Sequence, residues 1–282
     1  MEVDLFKHEM YSTGLSTKAV IVPDGKLHRF YVEGDRQGSL NGWYVFYVDG
    51  LAAGAFGSWK TGNKYIWCIK ADHNLSHTER IQFKQRMEEI KSVREAEEIA
   101  KRKVARDKAL YIWENSSPAP DSHLYLVRKK VRNHGLRINK KALIIPIRDN
   151  VGQLHSLQFI DADGNKRFLS GGRKKGCYFV IGNPIDILCI CEGYATAASI
   201  HDATGSAVAV AFDAGNLKSV ALALRSKFPQ IEITLCADND ADSPVNIGLN
   251  KAREAAMAVS ASLAIPPITG DFNDLFSGGR HA

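Results

Sequence analysis

Two apolar runs in the last third of this chain release carboxylates as soon as they end, and a third apolar run lies between them. The first is IDILCI, residues 185 to 190, followed by Cys191, Glu192 and Gly193 and a helix-like stretch from Tyr194 to Ala203 that stops at Gly205. The last is IEITLCA, residues 231 to 237, which delivers Asp238 and Asp240; their two-residue spacing sets both side chains on one side of an extended backbone. Between them stand SAVAVAF, residues 206 to 212, and a helical pattern from Leu217 to Phe228 whose Val220, Leu222, Ala223 and Leu224 supply an apolar face. Near-continuous apolar strands alternating with helices predict an α/β fold with a mostly parallel sheet covered on both faces, and such sheets bind ligands outside the carboxyl ends of their strands. Glu192, Asp238 and Asp240 are all expected there.

Clustered carboxylates repel one another and raise each other's pKa unless a cation neutralises them. Oxygen donors without neighbouring His or Cys favour Mg²⁺ or Mn²⁺ over Zn²⁺. Magnesium held by a few carboxylates, with water and phosphate filling its other positions, serves phosphoryl and nucleotidyl transfer. Asp242 extends the ADNDAD run, and DFNDL at residues 271 to 275 adds Asp271 and Asp274 after the strand-like LAIPPI. Any one of these acids is equally explained as a loop residue capping a helix; their joint placement after three strands is what points to a cation.

On these residues the segment 186 to 275 resembles the Toprim domain, a metal-binding fold shared by bacterial-type primases, topoisomerases and some nucleases, whose pattern is a Glu after the first strand and D-x-D after the third. The string EGYATA, Glu192 to Ala197, resembles the signature of primases carried by satellite phages and conjugative plasmids. Upstream, LIIPIRDNVGQLHSLQFI, residues 143 to 160, and KRFLSGGRKKG, residues 166 to 176, resemble the segment that precedes Toprim in primase cores, so the resemblance covers roughly residues 120 to 280. It implies a template-directed primase making short RNA primers on single-stranded DNA from ribonucleoside triphosphates. Asp238 and Asp240, with one or more of Asp242, Asp271 and Asp274, would hold the metal, and Glu192 would act as metal ligand or as general base. Thr196 stands where replicative primases usually carry a further Asp. Neither the zinc-binding module nor the helicase found beside many such domains is visible, so a helicase or zinc-binding partner supplied in trans is expected.

The distribution of charge fits a polyanionic partner. The 282 residues carry a formal net charge of +6, and from Ser122 to Arg148 there is no Asp or Glu. Arg128, Lys129, Lys130, Arg132 and Arg148 fall in that stretch, and Lys166, Arg167, Arg173 and Lys174 follow. These residues are candidates for contacts to template backbone and nucleotide, the bland reading of such runs being a solvated face. A hairpin is expected at Asp163-Gly164, and Gly171 and Gly172 allow close approach to a ligand.

Residues 1 to 75 read as a small β-rich module built on RFYVEG, GWYVFYVDG and YIWCIK, with Gly50, Gly54, Gly57 and TGNK as turns. Its aromatics Tyr44, Phe46, Trp59, Tyr65 and Trp67 suit either a stacking platform for single strands or, more simply, a core. GSWKTGNK lacks the ending of a P-loop and is rejected as an ATP site. Residues 76 to 117 read as a charged helical connector opened by a capping box at Ser76 and Glu79, with Phe83, Met87 and Ile90 as an apolar stripe. Residues 118 to 185 form the basic α+β part of the core and 186 to 282 the metal-binding domain. The five cysteines offer no C-x-x-C, so no zinc is expected. No apolar run is long enough to span a bilayer and the first residues lack a signal-peptide pattern, which predicts a cytoplasmic chain. Two other functions stay open: a Toprim nuclease using the same metal cluster on phosphodiesters, and a non-catalytic single-stranded-DNA-binding accessory protein of a replication complex.

Overall fold

The run of apolar strands and intervening helices expected after residue 186 forms a five-stranded sheet. A computed structural model describes residues 1–71, 74–239 and 246–278. The strands are β10 (Phe179–Ile181), β11 (Ile187–Cys191), β12 (Ala207–Val210), β13 (Glu232–Cys236) and β14 (Ser262–Ala264), in the order β10-β12-β11-β13-β14. All neighbours are parallel except β10, which runs antiparallel along β12. Four helices follow strands of this sheet: α4 (Tyr194–Thr204), α5 (Leu217–Lys227), α6 (Ile247–Ala258) and α7 (Phe272–Phe276).

Alternation along β11 explains why both faces need cover. Leu188 and Ile190 pack with Val220 and Leu224 of α5 and with Ala252 and Ala255 of α6. Cys189 and Cys191 point the other way, into a core shared with Tyr194 and Ala198 of α4. That second core is closed by an antiparallel sheet whose strands follow chain order: β5 (Ser117–Pro118), β6 (Arg137–Asn139), β7 (Ala142–Arg148), β8 (Leu154–Ile160) and β9 (Lys166–Phe168). Leu143, Ile145 and Ile147 of β7 and Ile160 of β8 supply its apolar side. Residues Arg148 and Tyr178 exchange backbone hydrogen bonds of 3.1 and 2.8 Å, tying the end of β7 to the residue before β10. The turn at Asp163-Gly164 joins β8 to β9 as expected, with Gly164 at φ 88°. Helix α3 (Leu124–Lys129) precedes β6.

Contacts divide the chain into two units, Met1–Ala100 and Lys101–Ala282. In the first, α1 (Glu2–Ser12) packs on an antiparallel sheet of β1 (His28–Phe30), β2 (Gly42–Tyr47), β3 (Ala53–Ser58) and β4 (Lys64–Cys68). Phe6 of α1 stacks on Phe46 at 4.3 Å between ring centroids, and both, like Tyr44, are buried core residues. One expectation is corrected here. Gly54 and Gly57 are not turn residues but lie inside β3, where neighbouring backbone leaves no room for a side chain. A β-carbon on Gly54 would lie 2.6 Å from the Val45 carbonyl oxygen, and one on Gly57 would collide with that of Asn63. Helix α2 (His77–Glu114) opens with the expected capping box: Glu79 N–H donates to Ser76 Oγ at 3.3 Å and Ser76 N–H to Glu79 Oε2 at 2.9 Å. Among the described residues no helix is long and apolar enough to cross a membrane.

Candidate metal and nucleotide site

Glu192 is the first residue past β11, and its main chain is pinned before the chain enters α4. Ala211 N–H donates to Cys191 O at 2.8 Å and Phe212 N–H to Glu192 O at 2.9 Å, which carries the β11–β12 ladder one step beyond the strands. Phe212 sits at φ 75°, a left-handed conformation that costs a bulky residue energy and that clusters at ligand sites. On the next strand, Asp238 is held between two anchored neighbours. Ala237 N–H donates to Ala264 O at 2.9 Å; Asn239 exchanges backbone bonds of 2.8 and 2.9 Å with Gly270. The Asn239 amide also donates to the carbonyls of Pro266 (3.2 Å) and Ile268 (3.1 Å).

The two carboxylate residues meet at Gly248 in the first turn of α6. A β-carbon there would lie 3.2 Å from Glu192 Oε1 and 3.9 Å from both Cβ and the carbonyl oxygen of Asp238. Helix α6 is capped by Asn246, whose side-chain oxygen accepts from Leu249 N–H at 3.1 Å, so the glycine position is fixed. Adjacent parallel strands therefore bring Glu192 and Asp238 against one turn of α6, which a missing side chain lets come close. Oxygen donors so placed fit a hard divalent cation. Asp240 and Asp242 lie outside the described residues, and among the described residues no three metal-ligating side chains gather.

Asp271 and Asp274 have local duties. Asp271 Oδ1 accepts from the N–H groups of Asn273 (2.6 Å) and Asp274 (3.0 Å), and Asp274 Oδ2 accepts from Asp271 N–H at 3.1 Å, a complete capping box for α7. The other oxygen of Asp271 accepts from Thr196 Oγ1 at 3.1 Å. Asp274 also has Lys129 Nζ at 3.8 Å. Burial pushes the Cys191 thiol well above its usual range, and the charges of Asp238 and Asp271 add to that shift.

The basic candidates separate by strand alternation. On β9, Lys166 pairs with Ile160 and its Nζ lies 3.8 Å from the β-carbon position of Gly193, next to Glu192. Phe168 shares that face: its exposed ring meets Phe212 edge-on at 6.2 Å and has Lys174 Nζ 4.7 Å from its centroid. Lys174 in turn pairs with Asp213. Arg167, paired with Phe159, points to the opposite face of the sheet. Arg173 lies against Cys177 Sγ (3.3 Å) and the Asp149 carboxylate (3.7 Å). Arg148 donates to Gly152 O at 2.9 Å, and burial, with Arg137 nearby, depresses its pKa. Arg128 donates to Ala162 O (2.9 Å), Lys130 to Ser277 O (3.0 Å), and Arg132 to Asp202 (2.7 Å). Structure thus sets Lys166 beside Gly193, engages Lys174 with Asp213 and Phe168, and gives Arg128, Lys130 and Arg132 contacts within the fold.

Two positioning residues carry no sequence signal of their own. Asn216 is buried, and its side chain holds the basic loop against β12: Oδ1 accepts from Gly176 N–H at 2.9 Å, while Nδ2 donates to Lys174 O, Cys177 O and Ala211 O at 3.1, 3.1 and 2.9 Å. Gly248 is the other, since a helical glycine shows its use only when its neighbours are known.

Residues 187–280 match the Toprim domain family. Two curated relatives, both DNA primase TraC of Escherichia coli, are 32% identical over 262 residues, covering 87% of this chain and 24% of the relative, and 34% identical over 287 residues, covering 93% and 19%. The chain therefore spans about a fifth to a quarter of the length of these relatives. Among solved structures, the primase fragment of the bacteriophage T7 primase-helicase protein is similar at 19% identity and a TM-score of 0.42, covering 53% of this chain and 67% of that one.

Proposed function

We propose that this chain, a Toprim-domain homologue of the TraC primases, is the catalytic part of a DNA primase that joins ribonucleotides on a single-stranded DNA template. The observation that carries this is the convergence of Glu192 and Asp238, from adjacent strand ends, on Gly248 of α6, with Lys166 beside Gly193. Glu192 and Asp238 would hold a divalent cation, Mg²⁺ or Mn²⁺, together with the D-x-D partner Asp240 and with Asp242. Bound there, the cation would offset triphosphate charge and the charge that develops as phosphorus is attacked. Asp271 and Asp274 would act from behind, fixing α7 and Thr196 beside the site.

The remaining roles belong to side chains of the chain itself. Lys166 and Lys174 would take nucleotide phosphates at the mouth of the site, and Arg173, behind Gly171 and Gly172, would extend that contact. Exposed Phe168 presents a ring on which a base can stack. Glu192 is either a metal ligand or the group that accepts the proton of the primer 3′ hydroxyl. Residues 118–185 would supply the basic strands and 186–282 the acids, with unwinding and zinc-dependent start-site selection coming from another chain or from further parts of a longer polypeptide.

The test is to incubate the purified chain with single-stranded DNA, Mg²⁺ and labelled ribonucleotides beside Glu192→Gln and Asp238→Asn. Short template-dependent products from the intact chain, at least a hundredfold fewer from either variant, are expected. Fragmentation of the DNA without synthesis would show a nuclease instead, and equal synthesis by the variants would remove the acids from the mechanism.

A further inference from the structure

Strand β9 is the exposed edge of its sheet, and its successive side chains serve different sides of the protein. Lys166 lies toward Glu192, whereas Arg167 crosses Phe159, with its guanidinium carbon 5.2 Å from the ring centroid, on the side where Ala109 and Ile112 of α2 pack. That far side holds an open trough of about 860 Å³ bounded by Lys108 and Ile112 of α2, the Lys140-Lys141 turn, Phe159 and Arg167. Among the described residues none of these four cations forms an ion pair. Asp161 and Asp163 also line the trough, two carboxylates against four cations, and that of Asp161 is engaged within its own turn. It accepts from Asp163 N–H (3.0 Å), Asn165 N–H (2.9 Å) and the Asn165 amide (3.0 Å).

Lys140 sharpens the picture. It sits at φ 57° in the two-residue turn between β6 and β7, a left-handed position where glycine or asparagine costs less. A lysine kept at such a place puts a cation at the rim of the trough. Cations arrayed from a helix to a hairpin to an edge strand, rather than converging on one point, suit a chain of phosphates. A guanidinium lying over an aromatic ring leaves its outer face for a base.

We propose that this trough is a second binding track for single-stranded nucleic acid, on the face of the antiparallel sheet away from Glu192, which a strand reaches by passing over the edge at β9. The direction of that path rests on the primase reading, but binding in the trough does not. A fluorescent oligothymidylate titrated with the full chain in EDTA, at several salt concentrations, reads binding alone. Lys140→Asn with Lys141→Gln and Arg167→Gln is expected to weaken binding about tenfold and to lower the salt slope by about 2, as three lost phosphate contacts on a single strand require. Lys140→Asn suits the backbone angle, and Arg167→Gln alone, at an exposed position, provides a second variant with a smaller loss in the same direction.

Neutralising three cations elsewhere, by Lys26→Gln with Lys218→Gln and Lys251→Gln, is expected to change affinity less than twofold. Equal losses from the two sets would mean that binding follows net charge, and unchanged affinity in the trough variant, or no binding by the intact chain, would equally overturn the proposal. Displacement of the oligonucleotide from the trough by polyglutamate at matched charge would assign it to acidic peptide instead. Trough-dependent binding by a chain that makes no primers would sink the primase reading and leave the track; primer synthesis with binding indifferent to the trough would do the reverse.

Discussion

A β-carbon on Gly248 would stand 3.2 Å from Oε1 of Glu192, so the first turn of α6 leaves the carboxylate its room by having no side chain there. The glycine is not required by its backbone angle, because it lies in ordinary helical conformation. Gly248→Ala should therefore leave the fold as stable as before or firmer by about 0.5–1 kcal/mol, the usual helical preference for alanine. Metal-dependent primer synthesis should fall at least tenfold as Glu192 is displaced. A thermal melt and a synthesis assay on the same preparation separate the two effects, and full activity in the variant would show that the space has no role.

Asn216 joins three carbonyls and one N–H that belong to different segments, and Asn216→Ala removes that partner from each, although Lys174 O keeps the Cys177 N–H at 2.9 Å. Leaving buried polar groups unpaired costs about 1–3 kcal/mol per group, and relaxation of the loop recovers part of it. The expected loss is about 3 kcal/mol in urea unfolding. Because the same bonds fix residues 174 to 177, the KM for nucleotide should rise as well; a stability loss with unchanged KM would confine Asn216 to the fold.

Much of this arrangement was legible along the chain because its determinants are local. Strand and helix alternate within 186–282 with apolar runs long enough to read, and a carboxylate directly after such a run is at a strand end wherever the strand pairs. Long-range pairing decides the rest. Gly54 and Gly57 looked like turns until β2 and β4 were laid on either side of them. Lys166 and Arg167 looked like one basic patch, yet pairing with Ile160 and Phe159 sends them to opposite faces. Asp271 and Asp274 fulfil the capping pattern that a sequence of five residues allows, and only the Thr196 hydroxyl ties Asp271 to α4, the helix that follows Glu192.

Asp149 gives the stability a readable acid limb. Burial by itself would raise its pKa, but His155 Nε2 at 2.7 Å and the N–H groups of Gln153 (2.9 Å) and Val151 (3.1 Å) hold it below the usual range. A depressed pKa in the folded state means that the contribution is fully present above the unfolded value of about 3.9 and is lost as pH falls through the folded one. Asp149→Asn is therefore expected to cost about 2 kcal/mol at pH 7, the scale of a charged hydrogen bond, with the gap to the parent closing below about pH 4. Urea midpoints of both proteins between pH 7 and pH 3 test this, and a gap independent of pH would show that the carboxylate charge contributes nothing.

Removal of the cation provides a check that needs no turnover. Glu192 and Asp238 approach one turn of α6 from neighbouring strands, and a divalent cation shared by two such carboxylates would tie the strand ends together. A ligand that binds only the folded chain stabilises it by about 2.7 kcal/mol at a hundred times its Kd. Adding Mg²⁺ to the intact chain should therefore raise its Tm, and EDTA should reverse the rise. In Asp238→Asn the response to Mg²⁺ should largely disappear. An identical Mg²⁺ response in both proteins would place the cation elsewhere.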